Sequence, residues 1–332
     1  MSIFLRTSVD AALYTLQATQ KSLTETQARV TTGLRVQKAN DNASYWSIAT
    51  TTRSDVKSLS AIQDALGLAG ATMDVAYTGV SASVDIVTKI KAKLVAATED
   101  GVDKTKINEE IDQLKGELRS TGEAASFNGE NWIVLGTGDN PLQPHKIPSS
   151  VIRGEDGSIA IGKMTYNIDN PASSSLSSKD ARYLIDDRAD GNGAYGVLTS
   201  DKFAIEAGVG QNYVLLKSKS GDTTGQVEIG LNASTTKAEV DDMITVVDKM
   251  LGQMTEVGSA FGSLQKRIQI QDEFAANLSD SLTRGVGRLV DADMEAESTK
   301  LQALQTQEQL GLQSLSIANA SYDTIRQLFQ NF

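Results

Sequence analysis

The chain has 332 residues and a formal net charge of −11, so it is long enough for two or three domains. The negative charge argues against nucleic acid or an anionic membrane surface as a partner, because both require a basic patch. The absence of cysteine excludes disulfides, a thiolate nucleophile and cysteine-ligated metals, and a single histidine argues against a histidine metal site or a Ser-His-Asp triad.

The first predicted helix runs from about residue 3 to residue 30. Its start lacks the basic segment and apolar core of a cleaved secretory signal, so we expect any export to use another route. Heptad steps along it give an apolar series and a mixed series, typical of one helix of a coiled coil. These are Val9, Leu16, Leu23 and Val30, and then Leu13, Gln20, Gln27 and Leu34.

A polar break over residues 31–44 precedes a long helix predicted over residues 45–98. Its heptad seam is Leu59, Leu66, Met73, Val80, Val87 and Leu94. Gly101 is placed to end this helix, and Asp103 can serve as the N-cap of a shorter helix over residues 104–125. No apolar run approaches the ~18 residues that a membrane span needs.

The pattern changes after the third helix. Asn128-Gly129 predicts a type I′ turn, and residues 132–135 read as a strand. All four prolines fall between Pro141 and Pro171, and up to residue 234 the chain reads as short strands and turns. We interpret His145 as a solvated loop residue. The predicted strands cover residues 158–161, 164–168, 181–185, 203–205, 213–216 and 226–229.

Thr236 and Glu239 fit a capping box that opens a second long helix. Gly285 and Gly287 are expected to break it before a terminal helix over residues 289–332. No proline interrupts that terminal helix, whose apolar seam needs a partner. The seam comprises Met294, Leu301, Glu308, Leu315, Tyr322 and Phe329, interleaved with Leu304, Gly311, Ala318, Ile325 and Phe332.

Signals for catalysis are weak. There is no P-loop, and Gly208-Val209-Gly210 lies between predicted strands, which indicates a turn. Paired acids such as Asp186-Asp187 read as solvated faces, and Asp291-x-Asp293 lacks the other ligands of a calcium loop. We therefore predict no enzyme activity and no catalytic, cofactor-binding or metal-binding residues.

The terminal seams carry the strongest functional signal. A two-helix coiled coil cannot cover that much apolar surface, whereas neighbouring copies of the chain could cover it on assembly. We therefore predict polymerisation. The predicted self-assembly seam comprises Val9, Leu13, Leu16, Leu23, Val30, Leu34, Met294, Leu301, Leu304, Leu315, Tyr322, Ile325, Phe329 and Phe332.

Four segments resemble one known family. Residues 32–36 and 39–43, Thr-Gly-Leu-Arg-Val and Ala-Asn-Asp-Asn-Ala, resemble the Ser-Gly-Leu-Arg-Ile and Ala-Lys-Asp-Asp-Ala signature of bacterial flagellins. Phe-Asn-Gly at residues 127–129 is similar to the segment after that family's second rod helix. Residues 261–267 and 288–293 resemble the family's Leu-Gly-Ala-x-Gln-Asn-Arg and Arg-Ile-x-Asp-x-Asp segments. The resemblance covers about residues 1–140 and 235–332.

The resemblance implies a mainly α fold with a β-rich insert. Long antiparallel helices would form a rod, the N- and C-terminal helices would pair as coiled coils, and an outer β domain would lie between. It implies a terminal coiled-coil filament-core domain (1–44 and 288–332), a helical rod domain with a β-hairpin (45–140 and 235–287) and a surface-exposed variable domain (141–234).

The resemblance also implies function and partners. The chain would be the structural subunit of the extracellular flagellar filament used for swimming, exported unfolded by the flagellar type III apparatus. Partners would be many copies of itself, sister flagellins, the export apparatus, an export chaperone, and the cap and hook-associated proteins, with no nucleic acid and no membrane.

Two alternatives and one departure accompany this interpretation. A hook–filament junction protein shares the terminal helices and export route. A zinc-peptidase insert, found in some flagellins, is excluded because His145 is the only histidine; adhesion through the insert stays open.

Many flagellins carry Arg-Val-Arg-Glu-Leu where an innate immune receptor binds. Residues 89–93 here read Lys-Ile-Lys-Ala-Lys, so recognition by that receptor is not expected.

Overall fold

The fold is described from a computed structural model, over residues 2–140, 145–154, 158–166, 182–188, 193–221 and 223–330. The side chains of residues 2–9, 151, 159, 166, 318 and 321–330 lie outside this description. The helices are α1 (Ser2–Thr32), α2 (Ala43–Ala96), α3 (Lys104–Ala124), α4 (Lys202–Ala207), α5 (Lys237–Val290) and α6 (Met294–Gln330). The strands are β1 (Ser126–Phe127), β2 (Glu130–Asn131), β3 (Val134–Leu135), β4 (His145–Arg153), β5 (Ile159–Tyr166), β6 (Ile185–Asp186), β7 (Tyr213–Val214) and β8 (Val227–Glu228).

The chain divides into two compact units, which we call the terminal unit and the middle unit. The terminal unit comprises Met1–Lys57 and Leu278–Phe332, and the middle unit comprises Ser58–Asn277. This mainly helical architecture with a strand-containing middle region is the predicted fold class. None of the helices in the described ranges combines the length and the apolar character that a bilayer crossing requires.

The middle unit is built around one hydrophobic core. The heptad seam predicted on α2, from Leu59 to Leu94, is buried throughout. Ile133, Leu198 and Leu215 from the strand-containing region belong to one core cluster with the seam residues from Leu66 onward. The described part of that region is therefore packed against the helices by shared apolar contacts.

The predicted turn chemistry around α3 is present. The Thr105 N–H donates to Asp103 Oδ1 at 3.1 Å, so Asp103 is the N-cap. Asn128 and Gly129 have φ values of 52° and 84° and join β1 to β2 as an antiparallel hairpin. Positive φ at both positions is what a type I′ turn requires, and asparagine and glycine tolerate it best.

The structure differs from the predicted strands of the middle region at three places. Residues 132 and 133 lie in a bend, and only Val134–Leu135 is a strand. Residues 203–205 belong to helix α4, which ends at Gly208 with a φ of 71°. The segments at 158–161 and 164–168 belong to one strand, β5, as far as Tyr166, and residues 167 and 168 lie outside the described residues. The apolar run at residues 203–205 is too short for its pattern to distinguish a helix from a strand.

The partner of β5 was missed because a proline lies inside it. Strand β4 pairs antiparallel with β5, with Ile147 opposite Met164 and Pro148 opposite Lys163. The register shifts between Pro148 and Ser150. Proline has no backbone N–H to donate, and a register shift or an edge position is where a sheet tolerates it.

The predicted break at Gly285 and Gly287 is also wrong. Helix α5 runs through both glycines to Val290. A glycine in a helix interior is unfavourable by about 1 kcal/mol relative to alanine. Here Val286 and Val290 are buried together with Val36 and Ala49 of the same unit, and this packing offsets that loss.

Candidate functional site

Helices α1 and α6 lie side by side and antiparallel in the terminal unit. Gln20 Nε2 donates to Glu308 Oε1 at 3.5 Å, and Arg29 Nη1 lies 3.2 Å from Glu297 Oε1. As the numbers rise along α1, those of the contacted residues fall along α6. The structure therefore brings the two predicted seams together within one chain.

The face of α6 that packs on α1 follows the predicted heptads. Leu304 is buried, and Leu301, Leu315 and Gly311 are half-buried. A Cβ atom built on Gly311 would lie 3.2 Å from Leu16 Cδ1, so the glycine allows the two helices to approach closely. Met294, at the first residue of α6, is 42% exposed.

On α1 one predicted register packs inward and the other does not. Leu16 is buried, and Leu23 and Val30 are half-buried, as the first register requires. Leu13, from the second predicted register, is 39% exposed, and Gln20 is exposed as well.

The second inward register of α1 lies one position earlier. Thr26 is buried, and Ala12 and Thr19 are half-buried. These positions follow the first register by three residues, which is the a-to-d spacing of a coiled coil. The remaining seam predictions, at the side chains of Val9, Tyr322, Ile325 and Phe329 and at Phe332, lie outside the described residues.

Backbone contacts join the segment that follows α1 to the C-terminal end of α5, and we call the two segments the clasp (residues 33–36 and 289–292). Leu34 forms a β-bridge with Asp291, and the Arg35 N–H donates to Val290 O at 2.7 Å. Arg35 Nη2 donates to Leu289 O at 3.0 Å, and the Ala292 N–H donates to Gly33 O at 2.9 Å. The clasp supplies hydrogen-bond donors to backbone carbonyls at the C-terminal end of α5. It also links the segment after α1 to the segment before α6.

Two acidic side chains near the clasp accept hydrogen bonds from backbone N–H groups. Asp293 Oδ1 accepts the N–H groups of Glu295 and Ala296, both at 3.1 Å, at the start of α6. The N–H groups of Lys38 and Gln37 donate to Asp41 Oδ2 and hold the pKa of that carboxyl below its usual value. Asp293 and Asp41 therefore stabilise the local backbone through these hydrogen bonds.

The net charge is confined to the middle unit. Met1–Lys57 contains seven Lys and Arg against four Asp and Glu, and Leu278–Phe332 contains four against seven. The terminal unit is therefore neutral overall, with a basic N-terminal segment and an acidic C-terminal one. The middle unit contains 20 Lys and Arg against 31 Asp and Glu, which accounts for the whole net charge of −11.

Large apolar side chains remain exposed on the sides of α1 and α6 that face away from the pair. Tyr14 on α1 is 80% exposed, and Leu310 and Ile317 on α6 are 58% and 71% exposed. Leu310 and Ile317 are one heptad apart, a spacing that could have identified this second stripe from the sequence. Patches of this kind usually mark contact surfaces.

The interpretation of Asp186-Asp187 as a solvated face is wrong. Both are buried: Arg188 Nε and Nη2 lie 2.9 and 3.0 Å from the two carboxylate oxygens of Asp186. Arg119 Nη1 donates to Asp187 Oδ2 at 2.9 Å, and the Lys219 N–H donates to Asp187 Oδ1 at 2.8 Å. This is an ion-pair network that joins α3 to the strand-containing region.

The interpretation of His145 as a solvated loop residue is wrong as well. Its ring stacks on Trp132 with centroids 4.1 Å apart and an angle of 23° between the planes. Tyr183 Oη lies 3.5 Å from His145 Nε2. Burial lowers the pKa of His145, against the opposing influence of Glu130 and Asp139.

The segment aligned with the receptor-binding stretch is partly occupied by contacts within the middle unit. Ile90 is fully buried. Lys91 pairs with Asp248, and Lys93 pairs with Glu110. Among the described residues no three His, Asp or Glu side chains lie close enough to hold a metal ion.

The chain is similar to known proteins along nearly its whole length. The bacterial flagellin N-terminal helical region matches residues 6–134, and the bacterial flagellin C-terminal helical region matches residues 244–329. Flagellin C of Rhizobium meliloti (strain 1021) is 44% identical over 329 residues, and 99% of each chain is covered. Flagellin A of the same strain is 39% identical over 394 residues, covering 99% of this chain and all of the relative. A flagellin of Brucella melitensis biotype 1 is 34% identical, with 99% of each chain covered. The chain therefore belongs to the bacterial flagellin family.

Proposed function

We propose that the chain is the structural subunit that self-assembles, through its terminal helices, into the flagellar filament used for swimming. One observation carries the proposal. The α1–α6 pair buries its shared seam yet leaves Tyr14, Leu310 and Ile317 exposed. Burying such side chains against neighbouring copies stabilises a contact by about 1.5–3 kcal/mol for each one fully covered.

The distribution of charge supports assembly through the terminal unit. Many neutral terminal units can be brought together without net electrostatic repulsion. The net charge of −11 lies in the middle unit, where it keeps the subunit soluble. A charge of this size at the packed contacts would instead oppose polymerisation.

We propose that the inward-facing residues of the predicted seam hold α1 against α6, so that the filament receives a preformed helix pair; among the described residues these are Leu16, Leu23, Val30, Leu301, Leu304 and Leu315. Leu13 and Met294 are exposed, and Leu34 lies in the clasp. The three-part division into a filament core (1–44 and 288–332), a rod (45–140 and 235–287) and a variable domain (141–234) is likewise a proposal. Proteolysis of assembled filaments tests it, since cuts concentrated in residues 1–44 would contradict a buried core.

The flagellin family is structural, and the chain is a component of the extracellular flagellar filament. We propose that it leaves the cell unfolded through the flagellar type III apparatus with a chaperone and meets the cap and hook-associated proteins during growth. A host without the export gate should retain the chain in the cytoplasm. Normal release from such a host would contradict this route.

We also propose that the animal innate immune receptor for flagellin responds weakly or not at all. In this segment Ala92 stands at the glutamate position and Lys93 at the leucine position of the bound stretch, and Lys91 and Lys93 are paired within the unit. A reporter-cell assay should give far less signal than an enterobacterial flagellin does. A comparable signal would refute the proposal.

Negative-stain electron microscopy of the purified chain, seeded with sheared filament fragments, tests the proposed function. Long filaments that grow with added subunit are expected. Short rings or stubs would instead favour the hook–filament junction alternative, against which the flagellin relatives already argue. A chain that stays monomeric under all seeding conditions would contradict assembly altogether.

A further inference from the structure

The turn between β1 and β2 holds the one residue other than glycine that has a positive φ in the described part of the chain. Asn128 has a φ of 52°, Gly129 follows it with a φ of 84°, and both residues are exposed. A Cβ atom built on Gly129 would have nothing within 4 Å, so the space beside this residue is open. The turn therefore presents an asparagine side chain and the next backbone nitrogen to water.

An asparagine that precedes glycine can lose its side-chain amide without any enzyme. The Gly129 backbone nitrogen attacks Cγ of Asn128; an N–Cγ bond forms, the Cγ–Nδ2 bond breaks, and the backbone amide proton leaves with Nδ2 as ammonia. Water then opens the five-membered succinimide ring at one of its two carbonyls. Opening at the Cγ–N bond gives aspartate, whereas opening at the backbone C–N bond gives isoaspartate. Glycine favours ring closure because it has no side chain to obstruct the attacking nitrogen.

The folded turn opposes this ring closure. Closure needs the Cβ of Asn128 and the nitrogen of Gly129 on the same side of the Cα–C bond. A φ of 52° belongs to the left-handed region, where ψ is about +47°, and this ψ sets the two atoms nearly opposite each other. The pairing of Phe127 with Glu130 holds the turn in this conformation. The reaction therefore has to wait until the turn opens.

We infer that Asn128 is a site of spontaneous deamidation, which reacts while the chain is unfolded and is protected once the β1–β2 hairpin forms. The chemistry does not depend on the proposed function; unfolded export only supplies the occasion for it. A subunit that waits unfolded before export ages at this position, whereas a folded subunit keeps its asparagine.

Isoaspartate at position 128 damages the contacts that follow the turn. The chain then runs through the side-chain carbonyl and gains one methylene group, which changes the strand spacing that a two-residue type I′ turn fixes. Just after the turn, Asn131 Nδ2 donates to Gly122 O at 2.8 Å, and Trp132 Nε1 donates to Glu130 Oε2 at 3.2 Å. An aged chain should therefore refold with lower stability than the Asn128→Asp variant, which has the same charge and a normal backbone.

Peptide mapping of the full-length chain by mass spectrometry tests the site, and no filament has to form. Native chain and chain unfolded in guanidinium chloride are incubated at the same pH and temperature, and the deamidated fraction at Asn128 is followed with time. The unfolded chain should react at least about tenfold faster, which corresponds to an opening free energy of about 1.4 kcal/mol or more for the turn. Asn192-Gly193 is the only other Asn-Gly pair of the sequence, and in the denaturant it should react at a rate similar to that of Asn128.

The matched control is Gly129→Ala, measured in the denaturant, where its effect on folding does not matter. The added methyl group should slow the reaction at Asn128 about tenfold and leave the rate at Asn192 unchanged. Equal rates at Asn128 in the native and the unfolded chain would contradict the protection, and an unreactive Asn128 beside a reactive Asn192 would overturn the site itself. An aged chain that unfolds at the same denaturant concentration as the Asn128→Asp variant would contradict the damage. None of these outcomes bears on assembly, which filament growth tests separately.

Discussion

Replacing Leu304 by aspartate should disrupt the α1–α6 pair and, with it, assembly. Leu304 is only 9% exposed at the centre of the seam. Loss of its burial removes about 2 kcal/mol, and placing a carboxylate there without a partner adds a penalty of similar or larger size, for a total of about 4 kcal/mol. Because every subunit in a filament needs a formed pair, this loss enters the assembly equilibrium directly.

Each 1.4 kcal/mol is a factor of about ten in an equilibrium constant, so the critical concentration for polymerisation should rise about a thousandfold. The assay is sedimentation of seeded polymer, with the unpolymerised chain measured at the plateau. Gln305→Asp is the matched control, because the same charge enters one residue further along at an exposed position. An exposed substitution changes stability by less than about 0.5 kcal/mol, so its critical concentration should stay within about threefold of the original. Equal behaviour of the two variants would refute the reasoning.

The remaining predictions concern packing, electrostatics and pH. Gly79→Ala should destabilise the middle unit by up to about 2 kcal/mol in urea unfolding, because its Cβ would lie 2.7 Å from the nearest side-chain atom, whereas Gly67→Ala on the same helix has open space and should stabilise it by up to about 1 kcal/mol. If both substitutions changed the free energy of unfolding in the same direction, the described packing around Gly79 would be contradicted. Arg29→Ala should weaken assembly less in a Glu297→Gln background, because the partner of Arg29 then carries no charge. If the effects of the two substitutions were additive in this double-mutant cycle, the two residues would not be coupled. Burial lowers the pKa of His145 below 6.5, so the unfolded chain binds the proton more readily and stability is lost as pH falls below 6.5. His145→Asn should lose less over that range, and parallel pH curves would count against this.

Hydrophobic periodicity predicted the long helices well because it was repeated many times. The α2 seam and the inward face of α6 follow from heptads alone, and capping residues such as Asp103 gave the ends. The second register of α1 could not be found this way. Its inward positions are Ala12, Thr19 and Thr26, which are small or polar. The apolar pattern therefore placed Leu13 in the second register, although its side chain is exposed.

The other errors arose where tertiary contacts override local preference. Helix α5 passes through two glycines because Val286 and Val290 are buried beside them. Asp187 is buried because Arg119, 68 positions away, supplies its partner, and no local pattern contains that information. The sequence predicted that the terminal helices carry the contact surface. That the exposed residues Tyr14, Leu310 and Ile317 are separate from the seam could be seen only from the burial of each side chain in the structure.

Helical reconstruction of assembled filaments by electron cryomicroscopy tests the central claim most directly. The account predicts that the innermost density consists of α1–α6 pairs from many copies, each intact within its subunit, with Tyr14, Leu310 and Ile317 covered by neighbouring copies. An innermost layer built from the Ser58–Asn277 unit, with the terminal helices making no contact between copies, would contradict it.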